Sequence, residues 1–139
     1  MSLERTLSII KPDAVAAGHT GAVIDRFEKE GFRILGIKRL HLSTGQAERF
    51  YTIHRERPFF ASLTSFMSEG PVVVMVLEAE GAIAKLRDLM GVTDPARARD
   101  GSLRKQYGLS IERNAVHGSD ALESAGYEIT YFFSQLELT

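Results

Sequence analysis

The run Val72–Leu77, which reads VVVMVL, constrains the fold more than any other stretch of the chain. It is continuously apolar and rich in β-branched residues, a pattern typical of a strand that is buried on both faces. Such a strand lies at the centre of a sheet. The other predicted elements must therefore be arranged around it.

Further strands and helices are predicted on both sides of this run. Strands are predicted over Thr6–Lys11, Phe32–Leu42 and Ile129–Phe133, and helices from Thr20 to Gly31, from the capping box Ser43-x-x-Gln46 through Ile53, over Phe59–Met67 and over Gly81–Met90.

The order of these elements is β-α-β, two extra helices, β-α, a long polar excursion over Gly91–His117, and a last strand. Without the extra helices this is the βαββαβ order of the split βαβ motif. We therefore expect an α+β, ferredoxin-like fold with a four-stranded antiparallel sheet covered by helices. An excursion as long as Gly91–His117 within a compact domain is usually functional or disordered.

Composition narrows the class of protein. A length of 139 residues suggests one domain, spanning residues 1–139. The absence of cysteine excludes disulfides, thiolate chemistry and zinc bound through sulfur, and His19, His41 and His54 share no metal-ligand spacing. A net charge of −1 argues against nucleic acid as the main partner. No signal peptide and no run of ~18 apolar residues is present, so we expect a cytoplasmic protein.

The stretch Asn114–Asp120 reads NAVHGSD and combines an imidazole with turn-forming residues. Ser119 and Asp120 are good N-cap residues and predict a helix that runs through Ala121–Ser124. His117 then precedes a helix N-terminus, where free N–H groups and the helix dipole favour an anionic group. A neutral imidazole in that place can act as a nucleophile toward a phosphoryl group. The alternative is a surface turn that happens to contain a histidine.

Candidate phosphate ligands are single side chains, because the sequence contains neither G-x-x-x-x-G-K-[ST] nor G-x-G-x-x-G. Lys11 follows the first predicted strand, where its charge can project into a cleft. Arg87 lies near the edge of the buried face of a predicted helix, and Arg104 lies in the excursion. Each of these cations has a simple alternative as a solvated surface side chain.

Aromatic and acidic candidates complete the set. Phe59 and Phe60 follow Pro58 at a helix start, so one ring can pack inward while the other stacks on a flat ring; the alternative is that both pack in the core. Tyr51 can direct its hydroxyl into a cleft or cover the core. Glu128 begins the last predicted strand, where a carboxylate near an imidazole would fix its tautomer and raise its basicity. An exposed strand carboxylate is the alternative.

Together these stretches resemble nucleoside diphosphate kinases over nearly the whole chain. The Asn114–Asp120 stretch matches the family's active-site pattern N-x-x-H-G-S-D. The other matching stretches are Arg5–Asp13, Phe50-Tyr51 through His54, Arg57–Phe60, Gly70–Val72, Arg87–Gly91 and Glu128–Phe133.

The resemblance implies a ping-pong phosphotransferase that maintains nucleoside triphosphate and deoxynucleoside triphosphate pools. Nδ1 of His117 is expected to take the γ-phosphoryl of a nucleoside triphosphate, mainly ATP, and to pass it to a nucleoside diphosphate. Mg²⁺ is expected to bridge the phosphates, without direct protein ligands. The resemblance also implies a role for each matching position. Lys11 and Asn114 would bind the ribose, with Lys11 also near the transferred phosphoryl, and Arg87, Thr93 and Arg104 would bind the phosphates. Phe59 and Ile111 would stack on the base, Tyr51 would border the imidazole, and Ser119 and Glu128 would orient it.

Two departures from the family pattern concern the segment after the arginine helix and the C-terminus. Gly91–Pro95 keeps the phosphate-contacting Thr93, whereas Ser134–Thr139 lacks the Cys- and Arg-containing ending common in bacterial relatives. We expect a homo-oligomer built on a dimer and extended to a tetramer. The strand Phe32–Leu42 would be an edge that needs covering, and the apolar tail Leu136–Leu138 would need a partner surface.

Two other classes of function remain open at this stage. One is a catalytically silent module that binds a nucleotide or another partner, although a pure binder has no need of a nucleophile. The other is a binder of single-stranded nucleic acid that uses Phe59 and the arginines, against which the net charge argues.

Overall fold

The apolar run forms most of the strand Val72–Glu80, which lies inside a four-stranded antiparallel sheet. The computed structural model describes residues 2–139. The strands are β1 (Leu3–Ile10), β2 (Arg33–Leu40), β3 (Val72–Glu80) and β4 (Val116–Gly118), and the helices are α1 (Pro12–Ala16), α2 (Thr20–Lys29), α3 (Thr44–Phe50), α4 (Phe60–Met67), α5 (Ala82–Met90), α6 (Leu103–Tyr107) and α7 (Leu122–Phe132), with short 3-10 turns at Thr52–His54, Pro95–Arg97 and Gln135–Glu137.

The strand order is β2-β3-β1-β4. The pairing of β1 with β3 runs from Leu3 opposite Glu80 to Ile10 opposite Val73. The edge strand β4 pairs with the end of β1 and places His117 opposite Ile9. The α+β, ferredoxin-like prediction and its four-stranded antiparallel sheet are confirmed.

Alternate residues of β3 enter two different cores, and this explains the continuous apolar run. Val73, Met75 and Leu77 pack beneath α2 and α5, whereas Val74 and Val76 pack on the other face against α3, α4 and α7. All five side chains are almost completely buried. Burial stabilises each of them by roughly 1.5–3 kcal/mol relative to exposure.

The predicted last strand, Ile129–Phe133, is wrong. Residues 129–132 form the end of the helix α7, in which Ile129 and Phe132 face the second core at helical spacing, and Phe133 is the C-cap. A short apolar run does not by itself distinguish a strand from a helix turn, and here packing against the sheet selects the helix. The fourth strand is β4, which comes earlier in the chain and has three residues.

The helix expected after the histidine exists, but it starts later than predicted. Its N-cap is Ala121, not Ser119 or Asp120, and its first residue is Leu122. The hydroxyl of Ser124 accepts a hydrogen bond from the N–H of Ala121 and donates one to the carboxylate of Asp120. Glu128 consequently lies on this helix rather than on a strand.

Smaller differences concern the ends of elements and the tail. The capping box of Ser43 and Gln46 is present as predicted, and α1 begins where only a strand end was expected.

The tail folds back on its own chain: the N–H of Thr139 donates to the carbonyl of Leu35, and Leu138 packs against the second core. The interpretation that the whole tail needs a partner surface is therefore wrong, although Leu136 is 91% exposed.

In the part of the chain that the structure describes, no helix is both long enough and apolar enough to cross a membrane.

Candidate active site

A cavity of about 520 Å³ opens beside the ends of β1 and β4. It gathers side chains from Lys11 just after β1, from α3 to the start of α4, from β4, α5 and α7, and from the segment between α5 and β4. The predicted residues on its wall are Lys11, Tyr51, Phe59, Arg87, Thr93, Arg104, Ile111, Asn114, His117 and Glu128.

The structure brings these residues together from positions up to 117 apart in the chain. Ser119 does not line the cavity; it is buried behind Glu128. Sequence reasoning missed His54, Glu112 and Asp120, which also lie on the wall. For Asp120 a signal exists in the sequence, since it ends the His117 stretch, although its residue type there also suits a helix cap.

The imidazole of His117 is held by a carboxylate. Its Nε2 lies 2.8 Å from Oε1 of Glu128, and the same oxygen accepts a 2.8 Å hydrogen bond from the hydroxyl of Ser119. An ionised carboxylate can only accept, so the ring donates from Nε2–H and Nδ1 keeps its lone pair. Ser119 in turn accepts from the N–H of Leu7. It therefore fixes Glu128, and its link to the ring runs through that carboxylate.

Two aromatic rings border the imidazole. The ring centroids of Phe50 and Tyr51 lie 5.6 and 6.4 Å from that of His117, both in edge-on geometry. Burial raises the pKa of the Tyr51 phenol, and the nearby charge of Glu128 raises it further. The phenol consequently stays protonated and can donate a hydrogen bond in the cavity.

Lys11 and Asn114 form a pair next to the imidazole. The Lys11 ammonium donates to Oδ1 of Asn114 at 2.8 Å, and Nδ2 of Asn114 donates to the carbonyl of Thr93 at 3.1 Å. Burial lowers the pKa of Lys11 to about 8, and repulsion by Arg104 adds to this effect. The ammonium is therefore charged at neutral pH but easily deprotonated above it.

Two guanidinium groups supply most of the remaining positive charge. Arg104 donates to the carbonyls of Gly91 and Val116 at 3.1 and 2.9 Å, and Arg87 donates to the carbonyl of Gly118 at 3.4 Å. Burial lowers the pKa of Arg104 to about 10, and repulsion by Arg87 contributes. Backbone carbonyls hold these cations in place without neutralising them, so this end of the cavity favours an anionic group.

Another region of the cavity wall is apolar and open. Phe59 is 46% exposed and Ile111 is 61% exposed, although both are large apolar side chains. The loop that carries Ile111 is tied to the end of α4, because Arg113 donates two hydrogen bonds, at 2.9 and 3.0 Å, to the carboxylate of Glu69, two residues after the helix. The guanidinium of Arg113 also lies 4.6 Å from the ring centroid of Phe66.

Comparisons of the sequence and of the structure with known proteins both match the chain to nucleoside diphosphate kinases. The family model described as "Nucleoside diphosphate kinase" matches residues 4–138. Nucleoside diphosphate kinases of Syntrophotalea carbinolica and Geobacter sulfurreducens are each 60% identical to the chain over 136 residues, which is 98% of this chain and 99% of each relative.

Solved structures agree in fold. The nucleoside diphosphate kinase of Aquifex aeolicus superposes with a TM-score of 0.97 at 48% identity, covering 99% of this chain and 100% of that one. The enzyme of Halobacterium salinarum, solved in complex with CDP, gives a TM-score of 0.94 at 37% identity over 99% of this chain and 92% of that one.

Proposed function

The chain belongs to the nucleoside diphosphate kinase family, and from that premise we propose that His117 carries the phosphoryl group between nucleotides. The activity is the transfer of the γ-phosphoryl of a nucleoside triphosphate to a nucleoside diphosphate. This function accounts for a nucleophile, fixed cations and an open apolar surface in a single cavity. It also makes a silent binding module or a nucleic-acid binder unnecessary.

The observation that carries the proposal is the contact between Nε2 of His117 and Glu128. Because Nε2–H donates a hydrogen bond to the carboxylate, the lone pair of Nδ1 is available for in-line attack on phosphorus. A bond forms between Nδ1 and phosphorus while the bond to the leaving diphosphate oxygen breaks. A second nucleoside diphosphate then attacks the phosphohistidine, and the imidazole leaves with its lone pair restored.

Arg87, Arg104 and Thr93 are proposed to hold the phosphates. Phosphoryl transfer depends on positioning and on stabilisation of charge more than on covalent help from the protein. Arg87 and Arg104 are cations that the backbone already orients. Lys11 and Asn114 are proposed to bind ribose hydroxyls, with Lys11 also close to the transferred group.

Mg²⁺ is proposed as the metal ion, held mainly by the nucleotide. Among residues 2–139 no group of three His, Asp or Glu side chains could enclose a metal, and Mg²⁺ commonly binds substrate phosphates with one or two carboxylates. Asp120 lies on the cavity wall, and a hydrogen bond from Ser124 lowers the pKa of its carboxyl. The cavity therefore fits a phosphate-bound ion beside Asp120, and the bound ion would neutralise charge on the phosphate oxygens.

Phe59 and Ile111 are proposed to stack on the two faces of the base. Every base has a π face, so an apolar slot accepts purines and pyrimidines alike. The Halobacterium salinarum relative was solved with CDP, a pyrimidine nucleotide. The exposure of both side chains leaves them free to receive a ring.

The proposal is tested by incubating the protein with γ-labelled ATP and then exposing the labelled protein to acid. We expect the label to appear on the protein, to be lost in acid, and to transfer to added CDP or GDP. Label that survives acid would indicate phosphoserine, for example on Ser119, and would contradict the phosphohistidine.

Residues 1–139 are proposed to act as one domain, in the cytoplasm, as a homo-oligomer built on a dimer. The support for the dimer is the edge position of β2, which could pair across a two-fold axis. The tetramer has less support than the dimer, because Leu138 already packs on its own chain. Sedimentation velocity at micromolar concentration distinguishes the cases: a monomer refutes the dimer, and a bare dimer or a hexamer refutes the tetramer.

A further inference from the structure

The backbone is strained at Ala115, two residues before His117. Its φ is 76°, and among residues 2–139 no other residue except glycine has a positive φ. The N–H of Val116 donates to the carbonyl of Asn114, two residues back, at 2.9 Å. A hydrogen bond of this kind around a residue with positive φ defines the rare, strained form of the γ-turn. Such a conformation costs on the order of 1–3 kcal/mol and persists only where the surroundings hold it.

The surroundings that hold this turn are the residues directly after β1. The N–H of Ala115 donates to Oδ2 of Asp13 at 3.1 Å, and the N–H of Lys11 donates to the carbonyl of Ala115 at 2.8 Å. Both polar backbone groups of the strained residue are therefore bonded to the segment Lys11–Asp13. The side chains repeat this link, since the Lys11 ammonium donates to Asn114.

The turn sits between two groups that the proposed reaction needs. Before it is Asn114, whose side chain lies on the cavity wall, and after it β4 leads to His117. If Ala115 relaxed to a common backbone conformation, the direction of the chain would change either before it, at Asn114, or after it, toward His117. A displacement of about 1 Å in a reacting group can cost roughly a hundredfold in rate.

Packing alone does not explain why the carboxylate of Asp13 is buried. Only 9% of the residue is exposed, and Oδ1 has no hydrogen-bond partner within the described part of the chain. Burial raises the pKa of this carboxyl, against the opposing effect of the bond from Ala115. A buried carboxylate with one unpaired oxygen is unfavourable for stability by itself, and its strongest long-range contact is the strained turn.

We propose that Asp13 is a positioning residue for phosphoryl transfer: its carboxylate holds Ala115 in the γ-turn and thereby fixes Asn114 and His117. This proposal rests on the proposed function of His117. Asp13 does not line the cavity and touches no reacting atom. Its effect passes through the backbone of residues 114–116.

The test combines Asp13→Ala with Ala115→Gly, because glycine adopts a positive φ with little strain. The kcat and KM for exchange and the Tm are measured for the wild type, both single variants and the double variant. Glu4→Ala is the matched control: its carboxylate also accepts from a distant backbone N–H, that of Ile83, but away from the cavity.

We expect Asp13→Ala to lower kcat by roughly tenfold to a hundredfold and Glu4→Ala to leave it within about twofold of the wild type. Ala115→Gly should lower kcat less than Asp13→Ala does. The double variant should recover at least about threefold over Asp13→Ala, since a glycine turn needs no carboxylate to hold it. If Asp13→Ala does not fold, the same recovery must appear as a folded and active double variant.

Three results would overturn the proposal. One is an Asp13→Ala variant with wild-type kcat, and another is a double variant no more active than Asp13→Ala. The third is a loss of kcat that matches only the unfolded fraction at the assay temperature. Absence of exchange and of acid-labile label in the wild type itself would instead refute the proposed function, so the two failures are distinguishable.

Discussion

Two regions of the cavity wall, which we propose as a phosphate end and a base end, are built in opposite ways. At the phosphate end, Lys11, Arg104 and Asn114 are no more than 7% exposed and donate to fixed partners. At the base end, Phe59 and Ile111 are 46% and 61% exposed. The first end is fixed in advance and polar, whereas the second is open and apolar.

We propose that this difference corresponds to two tasks. Charge develops on the transferred group in the transition state, and groups oriented in advance stabilise it without reorganisation. The base does not change during the reaction, so contacts with it act equally in the ground state and the transition state and change mainly KM. Substitutions at the phosphate end should therefore reduce kcat, and those at the base end should raise KM.

The largest effect is expected for His117→Ala. Without the nucleophile no phosphoenzyme can form, so exchange should fall by on the order of a thousandfold or more, while the fold and nucleotide binding persist. His54→Ala is the control, since His54 also lies on the cavity wall but is expected to keep the labelled intermediate. More than a few per cent of turnover in the His117 variant would contradict the assignment.

A smaller loss is expected for Glu128→Gln. Glutamine keeps an acceptor for Nε2–H but removes the negative charge, so kcat should fall roughly tenfold to a hundredfold with little change in KM. Ser119→Ala should lose less, because Ser119 acts only through Glu128. Single-turnover phosphorylation by ATP measures both, and equal rates in Glu128→Gln and the wild type would show that the carboxylate is not needed.

The phosphate end should also show a pH dependence. Since the pKa of Lys11 is lowered to about 8, its positive charge is present below pH 8 and is lost as the pH rises through that value. We expect kcat/KM, which reports the free enzyme, to fall above about pH 8. Lys11→Arg keeps its charge, so its profile should fall only at higher pH. If kcat/KM fell at the same pH in the wild type and in Lys11→Arg, the pH dependence would belong to another group.

At the base end, Phe59→Ala should raise KM by about tenfold, the size expected for loss of one stacking contact, and leave kcat nearly unchanged. The increase should be similar for ADP, GDP and CDP. Leu109→Ala is the control, because Leu109 is 74% exposed and is not among the residues on the cavity wall. Wild-type kcat/KM values that differ by more than about a thousandfold among the three substrates would require hydrogen-bond readout of the base.

The smallest effect is expected for the exposed pair that ties the base-end loop to α4. Arg113→Leu removes two hydrogen bonds to Glu69, and exposed pairs contribute only about 0.2–1 kcal/mol. We expect KM to rise less than about fivefold, with kcat unchanged. Exchanging the charges, with Arg113→Glu and Glu69→Arg together, should restore part of the loss. No recovery in this double variant would show that the pair does not set the loop.

Local patterns were sufficient for some elements and insufficient for others. The apolar run of β3 and the capping box of α3 are decided by neighbouring residues, and both were predicted. The end of α7 was not, because Ile129–Phe133 suits a strand by alternation and a helix by spacing. The surface it packs against lies far away in the chain, and that surface selected the helix.

The sequence also suggested the residues of the candidate site, but it did not predict the hydrogen bonds among them. Ser119 and Glu128 were both expected beside the imidazole. The structure shows that Ser119 reaches His117 only through Glu128, which could not be deduced while Glu128 was placed on a strand.

Local sequence was enough to predict the central strand, the elements from α2 to α5 and the set of side chains available for chemistry. Folding, in contrast, sets which nitrogen of His117 is free, how far burial lowers the pKa of Lys11, and how Ala115 is held in a strained turn. Hydrogen bonds and desolvation act through space. Lys11 and Asn114 are 103 residues apart and Asp13 and Ala115 are 102 apart, so these properties exist only once the chain has folded.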